Sequence, residues 1–175
     1  MDYEQLAQDI VHDALRAGAD EAEVYLQTGE DFDVDVRKGE IETLTQAGSK
    51  GLGLRVFVDK RMAFTATTDF ERRVLDDLVN TVVKLAKAAS RDRFNGLPDV
   101  GPGPLPRIDL YDQAVVDMPA ERKIEVAMET DRASFDYDPR ITNSSGAGFG
   151  THFGTRILAN SNGILYSNSY TDCGL

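Results

Sequence analysis

The sequence predicts an α+β fold: a two-layer domain with a mainly antiparallel sheet packed by two helices, followed by a helix and the start of a second antiparallel sheet. Three observations lead there. Apolar residues recur at helical spacing in residues 3–17 and again in 70–91, the period drops to two between them, and a charged tip at 59–61 joins two of the alternating runs as a hairpin. Helix, strands, helix in that order describes a two-layer unit.

Leu6, Ile10, Ala14 and Ala17 fall on one face of the first helix. Asp2 is placed to cap it, with Gln5 three residues on, and Gly18 supplies the stop. "AEVYLQT" then alternates, and "FDVDVRKG" does so more cleanly, with Phe32, Val34 and Val36 opposed to Asp33, Asp35 and Arg37. Leu52, Leu54, Val56 and Val58 repeat the pattern. After a charged tip at Asp59-Lys60-Arg61, Met62, Phe64 and Ala66 resume it, which reads as a hairpin. Roughly four antiparallel strands are expected in this region. Thr68 and Glu71 have capping-box spacing and are expected to open a long helix. Its stripe would be Phe70, Val74, Leu78, Val82, Leu85 and Ala89, ending near Arg91.

Residues 1–95 are therefore expected to form an N-terminal α+β domain and residues 96–118 a linker. Within "PDVGPGPLP" four of nine residues are proline and two are glycine, a composition that neither extends a helix nor pairs in a sheet. Pro119 suits the first position of a third helix reaching about Phe135. Phe149, Thr151, Phe153, Thr155, Ile157 and Ala159 then alternate, and Asn162-Gly163 marks a tight turn into "ILYSNSYTD". Residues 119–175, a helix plus a hairpin, hold too little for a core of their own. The expectation is a second domain that is truncated, or whose last segment leans on the first.

Charge narrows the function classes. With 19 basic against 30 acidic residues the net charge is −11, and no basic patch is available to neutralise phosphates, so direct nucleic-acid binding is not expected. The start "MDYEQ" has no signal-peptide character, Cys173 is a lone cysteine, and no apolar run approaches the ~18 residues of a membrane span. A cytoplasmic location with no membrane partner is the expectation.

Motifs that would carry chemistry fail on spacing. "GSKGLG" at 48–53 has the ingredients of a phosphate loop, but Gly48-Ser49-Lys50 lacks a glycine at position 43, and a dinucleotide fingerprint would need glycine where Val56 stands. Gly48, Gly51 and Gly53 read instead as relief points in a strand where the sheet bends or a backbone comes close, leaving Lys50 solvated. Asp31, Asp33, Asp35 and Glu42 occupy positions 1, 3, 5 and 12 of a calcium loop, yet Val36 stands where that loop turns sharply on glycine, so they read as carboxylates on the wet face of a strand. His12 and His152 form no zinc-binding pair and read as surface or rim residues. Cys173 has no basic neighbour in sequence, and "TNSSGAG" lacks the nucleophile elbow. No catalytic, cofactor-binding or metal-binding residue is assigned. The Gly-rich "SSGAGFGTHFGT" is the kind of segment to which a peptide could add a strand.

The string "VRKGEIETLTQAGSKGLGLRVFVDKRMAFTATTD" resembles the N-terminal signature of the TldD/PmbA family, described as modulators of DNA gyrase and as metalloprotease subunits. "DRFNGLPD", "IDLYD", "DPRITNSSGAGFG" and "ILANSNGIL" follow in the order of its PmbA (TldE) branch, so the likeness covers nearly the whole chain. The resemblance implies the N-terminal scaffold region of a non-catalytic, PmbA/TldE-like subunit acting with a TldD-type partner on unfolded or extended peptides. It implies self-association or a hetero-oligomer, zinc held by the H-E-x-x-x-H helix of the TldD-type subunit, and no cofactor in this chain. The alternative is a stand-alone protein- or peptide-binding module acting on DNA gyrase or another partner.

Overall fold

The computed structural model describes residues 2–99, 103 and 108–175; the centre of the expected linker, 100–102 and 104–107, lies outside the described residues. The elements run α1 (Tyr3–Arg16), β1 (Glu21–Arg37), β2 (Glu40–Val58), β3 (Arg61–Thr67), α2 (Arg72–Ala88), α3 (Gln113–Asp117), α4 (Ala120–Asp136), β4 (Ala147–Asn160) and β5 (Leu165–Gly174). The α+β class holds, with five strands in one antiparallel sheet of order β3-β2-β1-β4-β5. The closing hairpin, expected to begin a second sheet, thus extends the first. β1 is 17 residues long and carries pairing groups on both sides, so it bonds β2 along one edge and β4 along the other. β4, whose glycines suggested strand addition, is an interior strand of that sheet, with β1 and β5 as its neighbours.

Only three strands, not four, precede α2. "AEVYLQT" and "FDVDVRKG" run together as β1, because Gly29 between them lies within the strand and serves close approach, not a turn: a Cβ there would be 3.0 Å from the His152 ring. The two hairpin tips carry positive φ at both central residues, Lys38 (55°) with Gly39 (74°) and Asp59 (47°) with Lys60 (60°), matching the twist of the flanking strands. β3 pairs β2 from Leu52↔Thr67 to Val58↔Arg61; residues 40–50 of β2 lie beyond that ladder and are exposed.

The chain divides into two compact units. The first comprises residues 1–28, 50–108 and 155–168; the second comprises 29–49, 109–154 and 169–175. In the first, the Asp2 carboxylate accepts from the backbone of Glu4 and Gln5, both at 3.1 Å, as the capping pattern predicts. The expected box at the start of α2 does not form. The Thr67 hydroxyl and the Asp69 carboxylate instead satisfy the backbone N–H groups of Asp69 and Glu71, and the helix opens at Arg72 with Glu71 as an N-cap lacking a side-chain bond. Its buried face is Leu75, Leu78, Val79, Val82, Val83 and Ala86, while Leu85, expected in the stripe, is 51% exposed. A later start leaves Phe70 off the helix, buried against the edge of the Tyr3 ring. Together with Ile10, Ala14, Val24, Leu26, Leu52, Leu54 and Val56 these residues make a continuous apolar core.

The second unit has a smaller apolar cluster: Phe32, Val34, Val36, Ala127 and Phe149, where alternation on β1 and β4 meets one face of α4. Pro119 serves as N-cap of α4, one position earlier than expected, and α3 occupies part of the stretch read as linker. Gly53 meets the Phe64 ring at 2.8 Å, the close approach expected of a strand glycine. Gly48 and Gly51 face open space instead, and Lys50 lies over the Phe70 ring at 4.8 Å.

Candidate functional site

The second unit contains a cavity of about 190 Å³, formed where α3 and the start of α4 stand over β1 and β4. Two features give it chemical character. The first is a chain of three side chains from three strands: His152 Nδ1 lies 2.6 Å from Asp31 Oδ1, and its Nε2 lies 3.0 Å from the Tyr170 hydroxyl. With Nδ1–H donated to the carboxylate, Nε2 presents its lone pair to the phenol O–H, which fixes the ring between an acceptor and a donor. Glycines make room for both rings. A Cβ on Gly154 would lie 2.7 Å from Tyr170, and one on Gly29 would meet His152.

The second feature is Lys123. Its position on α4 turns it inward, leaving the residue 9% exposed, with Nζ donating to Thr151 Oγ1 at 2.8 Å and standing 4.7 Å over the face of Phe32. Burial pushes its pKa below the ordinary lysine value, and no attraction to an acid counters that shift. Elsewhere in the same unit, Asp131 on α4 is 2% exposed; one of its oxygens accepts from Gly39 N–H at 2.8 Å, holding the β1–β2 turn, and the other has no partner.

The residues that sequence reasoning singled out are scattered. Successive same-face positions on a strand are about 6.6 Å apart, too far for Asp31, Asp33 and Asp35 to converge on one ion. Asp33 and Asp35 lie over Gly150 and Gly148, whose missing Cβ atoms leave space for the carboxylates. His12 belongs to α1 in the first unit and Cys173 is exposed on β5. Among the described residues no group of three or more His, Cys, Asp or Glu side chains is arranged to hold a metal ion. The donor set among the described residues therefore does not fit a zinc centre. No helix among the described residues is long and apolar enough to cross a membrane.

His152, read as a surface or rim residue, is held between Asp31 and Tyr170, and Lys123 was not singled out at all. A signal for the first was present in the spacing of glycines, at 148, 150 and 154 of β4, which alternate with Phe149, Thr151 and Phe153 and leave one strand face nearly bare except for His152.

Comparison with known proteins places these units in a family context. The family models described as PmbA/TldA metallopeptidase domain 1 and PmbA/TldA metallopeptidase central domain match residues 22–89 and 114–175. A metalloprotease PmbA homolog of Haemophilus influenzae is 31% identical over 156 residues, covering 88% of this chain and 34% of that protein. A crystal structure from Bacteroides thetaiotaomicron bearing the name modulator of DNA gyrase superposes with a TM-score of 0.88 at 25% identity, over 98% of this chain and 39% of the other. TldE from Thermococcus kodakarensis superposes at 0.83 over 94% of this chain and 37% of that one; at 17% identity that likeness shows the fold alone. The chain spans about a third of the length of the curated relatives it matches.

Proposed function

The chain belongs to the PmbA/TldD family, in its PmbA/TldE-like branch, and from that premise we propose that it provides the first and central domains of a non-catalytic subunit in a peptidase assembly. In this reading a TldD-type partner holds the zinc and cleaves, while this chain helps to shape the space in which an unfolded or extended peptide is presented. The observation that carries the reading is the pair of ordered domain matches, over residues 22–89 and 114–175, together with the 31% identity to a metalloprotease PmbA homolog.

The test is reconstitution. The chain alone is expected to bind no stoichiometric zinc and to hydrolyse no unstructured peptide, whereas the full-length protein mixed with a TldD-type subunit is expected to co-elute with it and to show activity. Zinc at one equivalent in the isolated chain, or hydrolysis by it, would overturn the reading. The name carried by the Bacteroides relative favours a second reading, a module acting on DNA gyrase. Recovery of gyrase on the immobilised chain, with every TldD-type protein absent, would select it.

A further inference from the structure

We propose that the cavity over β1 and β4 in the second unit binds a carboxylate carried on an apolar body, such as the free C-terminus or an acidic side chain of a peptide, with Lys123 as its counter-ion. Lys123 is a buried ammonium whose hydrogen-bonding is incomplete. Of its three N–H donors one reaches Thr151 Oγ1, and the Phe32 ring face offers only a weak quadrupolar contact. No carboxylate among the described residues forms an ion pair with it, and burial is the sole cause of its lowered pKa. Charged side chains are almost never buried without a partner, because desolvation costs several kcal/mol that only a counter-charge returns.

The rest of the lining mixes a hydroxyl donor, two carboxylates and apolar side chains. The Thr151 hydroxyl accepts from Lys123, so its own proton is free to donate, and two donors therefore converge on one point. Two carboxylates also line the cavity: Asp31 is engaged by His152 at 2.6 Å, and Glu30, an exposed residue at its mouth, forms no ion pair with Lys123 among the described residues. Val115, Val116 and Phe153 form apolar wall that an anion without hydrocarbon would leave unused. This inference stands apart from the subunit role proposed above: a carboxylate site can exist whether or not a TldD-type partner does.

The experiment titrates the 175-residue chain with acetyl-alanyl-phenylalanine and with its C-terminal amide, followed by NMR of the backbone at Lys123, Thr151 and His152 and of the Lys123 side-chain ammonium. The acid is expected to shift these signals saturably and to raise the Lys123 pKa back toward its ordinary value. The amide is expected to bind at least about tenfold more weakly, the factor that corresponds to one lost charge-assisted contact. Lys123→Met is expected to abolish binding of the acid, and Lys123→Arg to retain part of it. An amidated peptide with an internal glutamate, set against its glutamine counterpart, distinguishes a side-chain carboxylate from a chain end; either source supports the site. Equal binding of acid and amide, no binding of either, or an unchanged Lys123 pKa with the acid bound overturns the proposal. The pKa measurement uses the unmodified chain, so the test stands even if Lys123→Met does not fold.

Discussion

The two units treat buried charge in opposite ways. In the first, Asp13 on α1 is nearly enclosed, yet Arg16 and Arg72 both reach it, and a core of twenty buried apolar residues surrounds the helix it belongs to. In the second, five apolar residues form the cluster, while among the described residues Lys123 has no acid and one oxygen of Asp131 has no donor. Polar groups left incomplete in a folded interior are costly and therefore uncommon. The contrast teaches that the first unit spends its buried charge on stability, whereas the second tolerates buried polar groups at a cost in stability.

Leu54→Ala tests that contrast most severely. A leucine with no exposed surface should cost about 3 kcal/mol on truncation, read by urea unfolding; a loss below about 1 kcal/mol would contradict the picture of a tightly packed first unit. In the second unit, Gly154→Ala forces a methyl to within 2.7 Å of the Tyr170 ring and is expected to cost about 2 kcal/mol. It should also break the bond to His152, detectable as a change in the imidazole nitrogen shifts. Unaltered shifts would show that Gly154 does not position the ring.

Asp13→Ala should cost about 1.5 kcal/mol near neutral pH, moderated because both arginines can return to solvent. Burial alone would raise the Asp13 carboxyl, but hydrogen bonds and attraction from Arg16 and Arg72 outweigh it and hold the folded pKa below its ordinary value. The stabilisation is therefore full above the unfolded-state pKa and is lost as the pH falls through the lowered folded value. Stability curves of the two proteins should converge in acid, and parallel curves would refute the pairing.

The smallest effect expected is a gain. Lys123→Met removes an unpaired buried charge at nearly constant volume and should stabilise the chain by about 1 kcal/mol, measured by thermal unfolding in the absence of added carboxylates. Because the folded pKa of Lys123 lies below its unfolded value, the penalty is complete at low pH. It fades as the pH rises through the folded value, so the advantage of the variant should shrink in alkali. An advantage that grows there instead would mean that the ammonium is paired after all.

Much of the fold could be read along the chain, because its signals are local. Asp2 with Gln5, the alternation of Phe32, Val34 and Val36, and the Asn162-Gly163 turn each state their structure within a few residues. In that last turn the Asn160 side chain also accepts from Asn162 and Ile164. Local competition explains the misread start of α2, where Thr67 and Asp69 offered the backbone other partners than the Thr68 hydroxyl. The site was not legible, since it depends on register. Asp31 and His152 are 121 residues apart in sequence, and only the pairing of β1 with β4 brings them together. Lys123 looked like any charged helix residue, because no local pattern tells which side of α4 will face the sheet.

The stretch of β2 beyond the β3 ladder carries a final consequence. Residues 40–50 are exposed and have no β3 neighbour, so their main-chain groups form a template on which any passing extended segment could register. Glu40, Glu42 and Lys50 place charges along it, the usual guard against indiscriminate edge-to-edge growth. Neutralising those charges should turn a well-behaved solution into one that gels or forms fibrils as concentration rises, an outcome that light scattering would detect well before any loss of native fold.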